Sequence, residues 1–224
     1  MIRLMTPLRT FPHFSPLSAG ERERVRGNFK CLFLSLVLLL VLGCASSPPT
    51  RFYTLSSLQE EGKGLKESTS DQGFVIMVGP IKFSEYLDRT EIVTRSSSNK
   101  ITISDFDVWA GSLAEDFSRV LAENLSVLLS TESVIVYPGP RLSSVDYQIE
   151  VDVIRFDGPL GGDVSLTARW AILEGKDKKL LSVRKSTIIE PSGARGYEAM
   201  VAADSRALEK LSREIAEAIK TLPK

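Results

Sequence analysis

Apolar and polar residues alternate strictly along Val145–Val153. Val145, Tyr147, Ile149, Val151 and Val153 are apolar, and Asp146, Gln148, Glu150 and Asp152 stand between them. A period of two is the mark of a strand with one buried and one wet face. Val164, Leu166, Ala168, Trp170 and Ile172 repeat it after a turn at Gly158–Gly162, and Lys179–Glu190 follows the turn at Gly175–Lys178. Three such strands joined by short turns predict an antiparallel meander. Two longer segments change to spacings of three and four. In Asp107–Ser130 the stripe runs Trp109, Leu113, Phe117, Val120, Leu121, Asn124, Leu128, which predicts a helix with Asp105 or Asp107 as its cap. In Gly196–Leu222 it runs Tyr197, Val201, Leu208, Leu211, Ile215, Ala218, Leu222. The opposite face of that helix is charged, with Glu209–Arg213 and Arg213–Glu217 at the i,i+4 spacing.

Shorter apolar runs complete the pattern. Phe52–Leu55 and Val134–Tyr137 read as short strands, and Phe74–Val78 as a strand stopped by Gly79-Pro80. Glu91–Arg95 and Lys100–Ser104 flank the polar turn Ser96–Asn99 as a hairpin. Phe83–Arg89 reads as a single helical turn and Gln59–Gln72 as a polar loop. The element order implies an α+β fold, with one mostly antiparallel sheet and two long amphipathic helices packed on it.

The N-terminal part has a different pattern. Cys31 to Leu42 is an uninterrupted apolar run of twelve residues, with Arg26 and Lys30 before it and Gly43-Cys44 after it. As a helix it would reach only about 18 Å, against a hydrocarbon core of about 30 Å. It is too short to span a membrane and has the flanks of a secretory signal. The ending Val41-Leu42-Gly43-Cys44 resembles a bacterial lipobox, in which the cysteine is acylated and becomes the new N-terminus. The expected organisation is a signal peptide over 1–43, a lipidated tether over 44–50 and a single domain over 51–224. Residues 1–24 hold Pro7, Pro12 and Pro16 and fit a signal poorly. A true start at Val25 and a genuine extended leader both remain open.

Cleavage before Cys44 also changes the chemistry. It takes away six basic and two acidic side chains from 28 of each, leaving a net charge of −4. No basic stripe remains for nucleic acid. The one histidine, His13, lies upstream, Cys31 lies in the signal, and Cys44 would carry lipid. A mature chain without histidine or a free thiol has no Cys/His zinc site and no Ser-His-Asp or Cys-His nucleophile. Asp105, Asp107, Glu115 and Asp116 form a carboxylate-rich stretch, for which capping of a helix start is a sufficient explanation. No catalytic residue, metal ligand or cofactor is expected beyond the covalent acyl lipid on Cys44.

Several segments together carry a family resemblance. CASSPPTRFYTL, VGPIKFSEYLDRTEIVTR, DVWAGSLAEDFSRVLAENL, DYQIEVDVIRFD and the final GYEAMVAADSRALEKLSREIAEAI resemble the ABC-type transport auxiliary lipoproteins of the PqiC/YmbA-like type. The resemblance implies a non-enzymatic lipoprotein, anchored by Cys44 in the outer membrane and facing the periplasm. It implies as partners an MCE-domain (PqiB-like) protein and an inner-membrane transporter component, in a system that moves lipid and maintains membrane integrity. It leaves homo-oligomer formation open. Ala45 stands where an aspartate commonly marks inner-membrane retention. Tyr86, Leu87, Asp88 and Arg89 are the candidate partner-docking residues; the alternative is that Tyr86 and Leu87 fill the core while Asp88 and Arg89 pair. A structural or assembly lipoprotein for another envelope complex is the competing function.

Overall fold

The computed structural model describes residues 48–58, 62, 73–139 and 144–222. The expected signal peptide, Cys44, most of the expected Gln59–Gln72 loop and Pro140 lie outside the described residues. Among these residues, eight strands and two helices follow in the order β1 (Arg51–Tyr53), β2 (Ile76–Phe83), β3 (Glu91–Ser97), β4 (Lys100–Trp109), α1 (Leu113–Leu129), β5 (Val134–Val136), β6 (Tyr147–Asp157), β7 (Asp163–Glu174), β8 (Leu180–Pro191) and α2 (Tyr197–Lys220).

The α+β class holds, with a difference in the sheets. The strands divide into a five-stranded sheet, β5-β2-β6-β7-β8, and a three-stranded one, β1-β4-β3. The meander β6–β7–β8 and the hairpin β3–β4 are antiparallel, while β2 runs parallel to both β5 and β6, and β1 runs parallel to β4. The parallel pairings have a physical cause. The chain returns from β2 to β5 through α1, which lies over both strands, and a crossover through a helix delivers a parallel neighbour. Within the apolar run Phe74–Val78, Ile76 and Val78 are fully buried, while Phe74, Val75 and Met77 are half-buried.

Gly79-Pro80 does not end β2. The strand runs through it with a register shift between Val78 and Ile81. Gly79 sits at φ +114, and a Cβ there would lie 3.0 Å from the Cβ of Tyr137, so glycine lets the strand bulge and continue.

The first helix begins six residues later than its periodicity predicts. Lys100–Trp109 is one strand, and Ser112 caps α1 by accepting from Glu115 N at 3.4 Å. Neither Asp105 nor Asp107 is the cap. Ser112 has the extended backbone a cap requires, and Asp107 is committed to other donors in the small sheet. Trp109 is a core residue, as its spacing implies, but it belongs to the end of β4, where its amide donates to Thr90 O at 2.7 Å.

The helices cover one face of the large sheet, α1 over β2 and β5 and α2 over β7 and β8, and they pack on each other. Ile149, Val151 and Val153 of β6 and Val164, Leu166, Ala168, Trp170 and Ile172 of β7 are buried beneath them, the residues that the alternation places on one face. Phe117 of α1 is fully buried and meets Phe83 and Phe156 edge-on at 5.4 and 5.7 Å. Asn124, the polar member of the α1 stripe, is also fully buried. It donates to Ser212 Oγ of α2 and accepts from Leu58 N, stitching both helices to the segment after β1. Among the described residues, no helix is long and apolar enough to cross a membrane.

One carboxyl in this core is out of place by ordinary solvation rules. Asp204 of α2 is fully buried, and neither oxygen has a hydrogen-bond partner. Burial pushes its pKa well above the usual carboxylate value, and the charge of Asp157 adds to the effect. The fold therefore keeps a proton that the unfolded chain releases near pH 4. Its stabilisation is complete below that pH and is lost as pH rises toward the folded value. The Asp204→Asn variant is neutral throughout. In urea unfolding series from pH 4 to 8, its stability relative to wild type should rise with pH, and it should exceed wild type at pH 7; parallel curves would contradict this.

Candidate docking surface and its buried junction

The turn between β2 and β3 carries Tyr86, Leu87, Asp88 and Arg89. Its backbone closes locally, with Leu87 N donating to Ser84 O at 2.8 Å and Arg89 N to Leu87 O at 2.9 Å. Ser84 fastens the start of the turn to β6, through its amide to Val153 O and its hydroxyl to Ile154 O, both at 3.0 Å. Leu87 is in the core, Tyr86 and Arg89 are half-buried, and Asp88 is exposed. Arg89 Nε is buried without a hydrogen-bond partner. The four residues thus divide in role. Tyr86 and Leu87 hold the turn, and Asp88 is the one it presents fully to solvent, beside exposed Glu85 and Thr90.

What holds Tyr86 is Asp157, the last residue of β6. Asp157 is fully buried and accepts four hydrogen bonds. Arg95 of β3 grips it with both fork nitrogens, Nε to Oδ1 at 2.9 Å and Nη2 to Oδ2 at 3.0 Å. Arg155 Nε reaches Oδ1 at 2.9 Å, and Tyr86 Oη donates to Oδ2 at 2.8 Å. The Arg95 guanidinium also lies 5.4 Å from the centre of the Tyr86 ring. Next to this knot, Arg95 N donates to Gly158 O at 2.9 Å, so β3 is joined by backbone to the β6–β7 turn. A Cβ at Gly158 would fall 2.5 Å from Asp163 O, so only glycine lets that turn close.

The electrostatics fix the protonation states. Burial alone would raise the Asp157 pKa, but the bonds from Arg95, Tyr86 and Arg155 outweigh it and hold the carboxyl below its ordinary value. Burial and the bond to Asp157 push the Tyr86 phenol up to about 12. At neutral pH the group is a carboxylate surrounded by committed donors. A carboxylate this fully occupied has little capacity to act as a base or to ligate a metal, and its role is to join elements.

A second knot, again an aspartate held by a bidentate arginine and a tyrosine, lies within the small sheet. Arg51 of β1 bonds Asp107 of β4 through Nε at 2.7 Å and Nη2 at 2.8 Å, Tyr53 Oη donates to Asp107 Oδ1 at 2.9 Å, and Ser104 Oγ to Oδ2 at 3.0 Å. Burial works against ionisation of Asp107, but these donors keep its pKa lowered. The carboxylates of the sequence stretch are therefore not brought together. Asp107 is taken up here, and Asp116 of α1 accepts from Leu55 N, Thr54 Oγ1 and Arg119 Nη2 at 2.7, 3.0 and 2.8 Å. Asp105 and Glu115 are exposed. No group of three potential metal ligands occurs among the described residues.

Sequence reading did not find Arg95, Asp157 or Arg51. One signal was available. The strict alternation of β6 breaks after Val153 in Ile154-Arg155-Phe156-Asp157, where the pairing with β7 shifts register and turns both Phe156 and Asp157 inward. Removing Arg95 leaves a buried carboxylate with half its donors. The Arg95→Met variant should lose about 3 kcal/mol in urea unfolding at pH 7, at the lower end of the range for a broken buried pair because Arg155 remains. A loss under about 1 kcal/mol, the value of a surface pair, would contradict the assignment.

Comparison with known proteins agrees with this architecture. Over 191 residues the chain is 25% identical to the intermembrane transport lipoprotein PqiC of Escherichia coli K12, covering 85% of this chain and 97% of that one, and the Shigella flexneri protein of the same name matches equally. The fold is shared with a crystal structure of an uncharacterized protein, at TM-score 0.63 and 21% identity over 77% of this chain and 99% of that one. It is shared also with the protein XCC0632 of Xanthomonas campestris, at TM-score 0.60 and 16% identity over 76% and 94%. The family model for the ABC-type transport auxiliary lipoprotein component matches residues 53–216, from β1 to the last turns of α2, and the chain belongs to that family of non-catalytic transport components.

Proposed function

We propose that this protein is an outer-membrane lipoprotein, held by acyl chains on Cys44 and facing the periplasm, that docks an MCE-domain protein and its inner-membrane companions in an envelope lipid transport system. The observation that carries this reading is the extent of the match to the intermembrane transport lipoprotein of Escherichia coli, which spans nearly the whole of that protein. The lipobox-like Gly43-Cys44 supports the anchor, and Ala45 supports sorting to the outer membrane. Two or more acyl chains give durable attachment, since each buried CH₂ contributes about 0.8 kcal/mol.

The docking surface in this reading is the turn at Tyr86, Leu87, Asp88 and Arg89. Its backbone is fastened to β6 and its ring to Asp157, so it meets a partner with little ordering left to do. Capture of the full-length lipoprotein from solubilised envelopes, with mass spectrometry of its N-terminus and companions, should recover acylated Cys44 and an MCE-domain protein. Asp88→Lys should reduce that recovery while leaving the N-terminus unchanged. Repeated capture of acylated protein with other envelope components and no MCE protein would favour an assembly role in a different complex.

A further inference from the structure

The parallel pairing of β1 with β4 determines the direction from which the tether arrives. Arg51 stands opposite Asp107, Phe52 opposite Val108 and Tyr53 opposite Trp109. In a parallel pair, the chain entering β1 comes from the side on which β4 begins, the end of the β3–β4 hairpin. Seven residues separate Cys44 from Arg51 in sequence, as many as separate Lys100, the first residue of β4, from Asp107, the partner of Arg51. Seven residues extend to about 23 Å. The pairing of β3 with β4 slips between Glu91 and Val93, so β4 spends residues on a bulge and the hairpin end lies within the tether's reach.

That end of the hairpin is exposed on both strands. Lys100, Ile101, Thr102 and Ile103 are all exposed, as are Ser96, Ser97, Ser98 and Asn99 across the turn. Ile101 and Ile103 remain 37% and 41% exposed although they belong to a paired strand. They stand at alternate positions, with a lysine at the start of the strand. Two isoleucines beside a cation suit the boundary between acyl chains and phosphate headgroups, where apolar burial and attraction to anionic lipid act together.

We propose that the β3–β4 hairpin is a second membrane contact, in which Ile101 and Ile103 enter the interface of the bilayer that holds Cys44 and Lys100 meets its phosphates. The proposal rests on acylation of Cys44. A tether alone leaves the domain free to turn over the membrane; a hairpin seated beside the anchor gives it one orientation. The β6–β7 turn then also faces the membrane side, because Arg95 of the hairpin bonds Gly158. The start of β8 at Leu180 lies at the far end of the large sheet, since β6 runs from the neighbourhood of Leu180 to Asp157.

The test uses the processed full-length lipoprotein, reconstituted in vesicles of phosphatidylethanolamine and phosphatidylglycerol with or without bromine in the acyl chains. Trp109 and Trp170 are both buried and supply a constant background. Ile101→Trp and Ser98→Trp place a reporter on the hairpin, and Leu180→Trp places one at the far end on a side chain that is 56% exposed. Loss of the added emission in brominated vesicles for both hairpin variants, with none for Leu180→Trp, is the expected result. Unquenched hairpin reporters on a protein whose Cys44 is acylated by mass spectrometry would overturn the hairpin contact and leave the anchor standing. Equal quenching at all three positions would overturn the single orientation, and an unacylated Cys44 would overturn both readings together.

Discussion

A buried carboxylate, Asp157, holds the two sheets of this protein to each other. It ends a strand of the large sheet and is gripped by an arginine from the small one, while a tyrosine from the turn between them closes over it. The cost of burying the charge is met by four donors, and the bidentate fork of Arg95 fixes geometry as well as charge. Without it, β3 would keep the backbone bond to Gly158 and the turn would keep its Ser84 bonds to β6, but the Tyr86 ring would lose its anchor. Asp107 repeats the arrangement one strand away, where it fastens β1 to β4. The two knots share a bidentate arginine and a tyrosine on one aspartate, and each joins elements far apart in sequence.

Much of the large sheet was legible in the sequence because its alternation is local. β7 buries each of Val164, Leu166, Ala168, Trp170 and Ile172, and the last helix buries Val201, Leu208, Leu211, Ile215 and Ala218 as its spacing requires. The start of the first helix was misread because Trp109 happens to stand four residues before Leu113, so a strand end mimics a helical stripe. The β-branched and aromatic residues of Ile101–Trp109 favoured a strand and were outweighed by that coincidence. The division into two sheets depends on parallel pairing across a crossover, which no local pattern specifies. Of the candidate docking residues, Leu87 could be expected in the core from its type, but the partner of Tyr86 lies 71 residues away and no spacing rule reaches it.

Asp204 sits beneath the same region and gives the core an opposite dependence on pH. Asp157 needs to be ionised, and its contribution fades as pH falls through its lowered folded value. Asp204 needs to be neutral, and its contribution fades as pH rises above the value in the unfolded chain. The proximity of one charge helps keep the other carboxyl protonated. Asp157 lies at the junction of the two sheets and Asp204 within the helix that covers β7 and β8.

Native-state hydrogen exchange of Asp157→Asn against wild type is the most direct test of this account. If Asp157 joins the two sheets, amides from Ser84 to Ser97 should lose protection in the variant, while those of β7 and α2 keep theirs. A uniform loss across the domain, or unchanged protection in the Tyr86 turn and β3, would contradict the central role assigned to the Asp157 carboxylate.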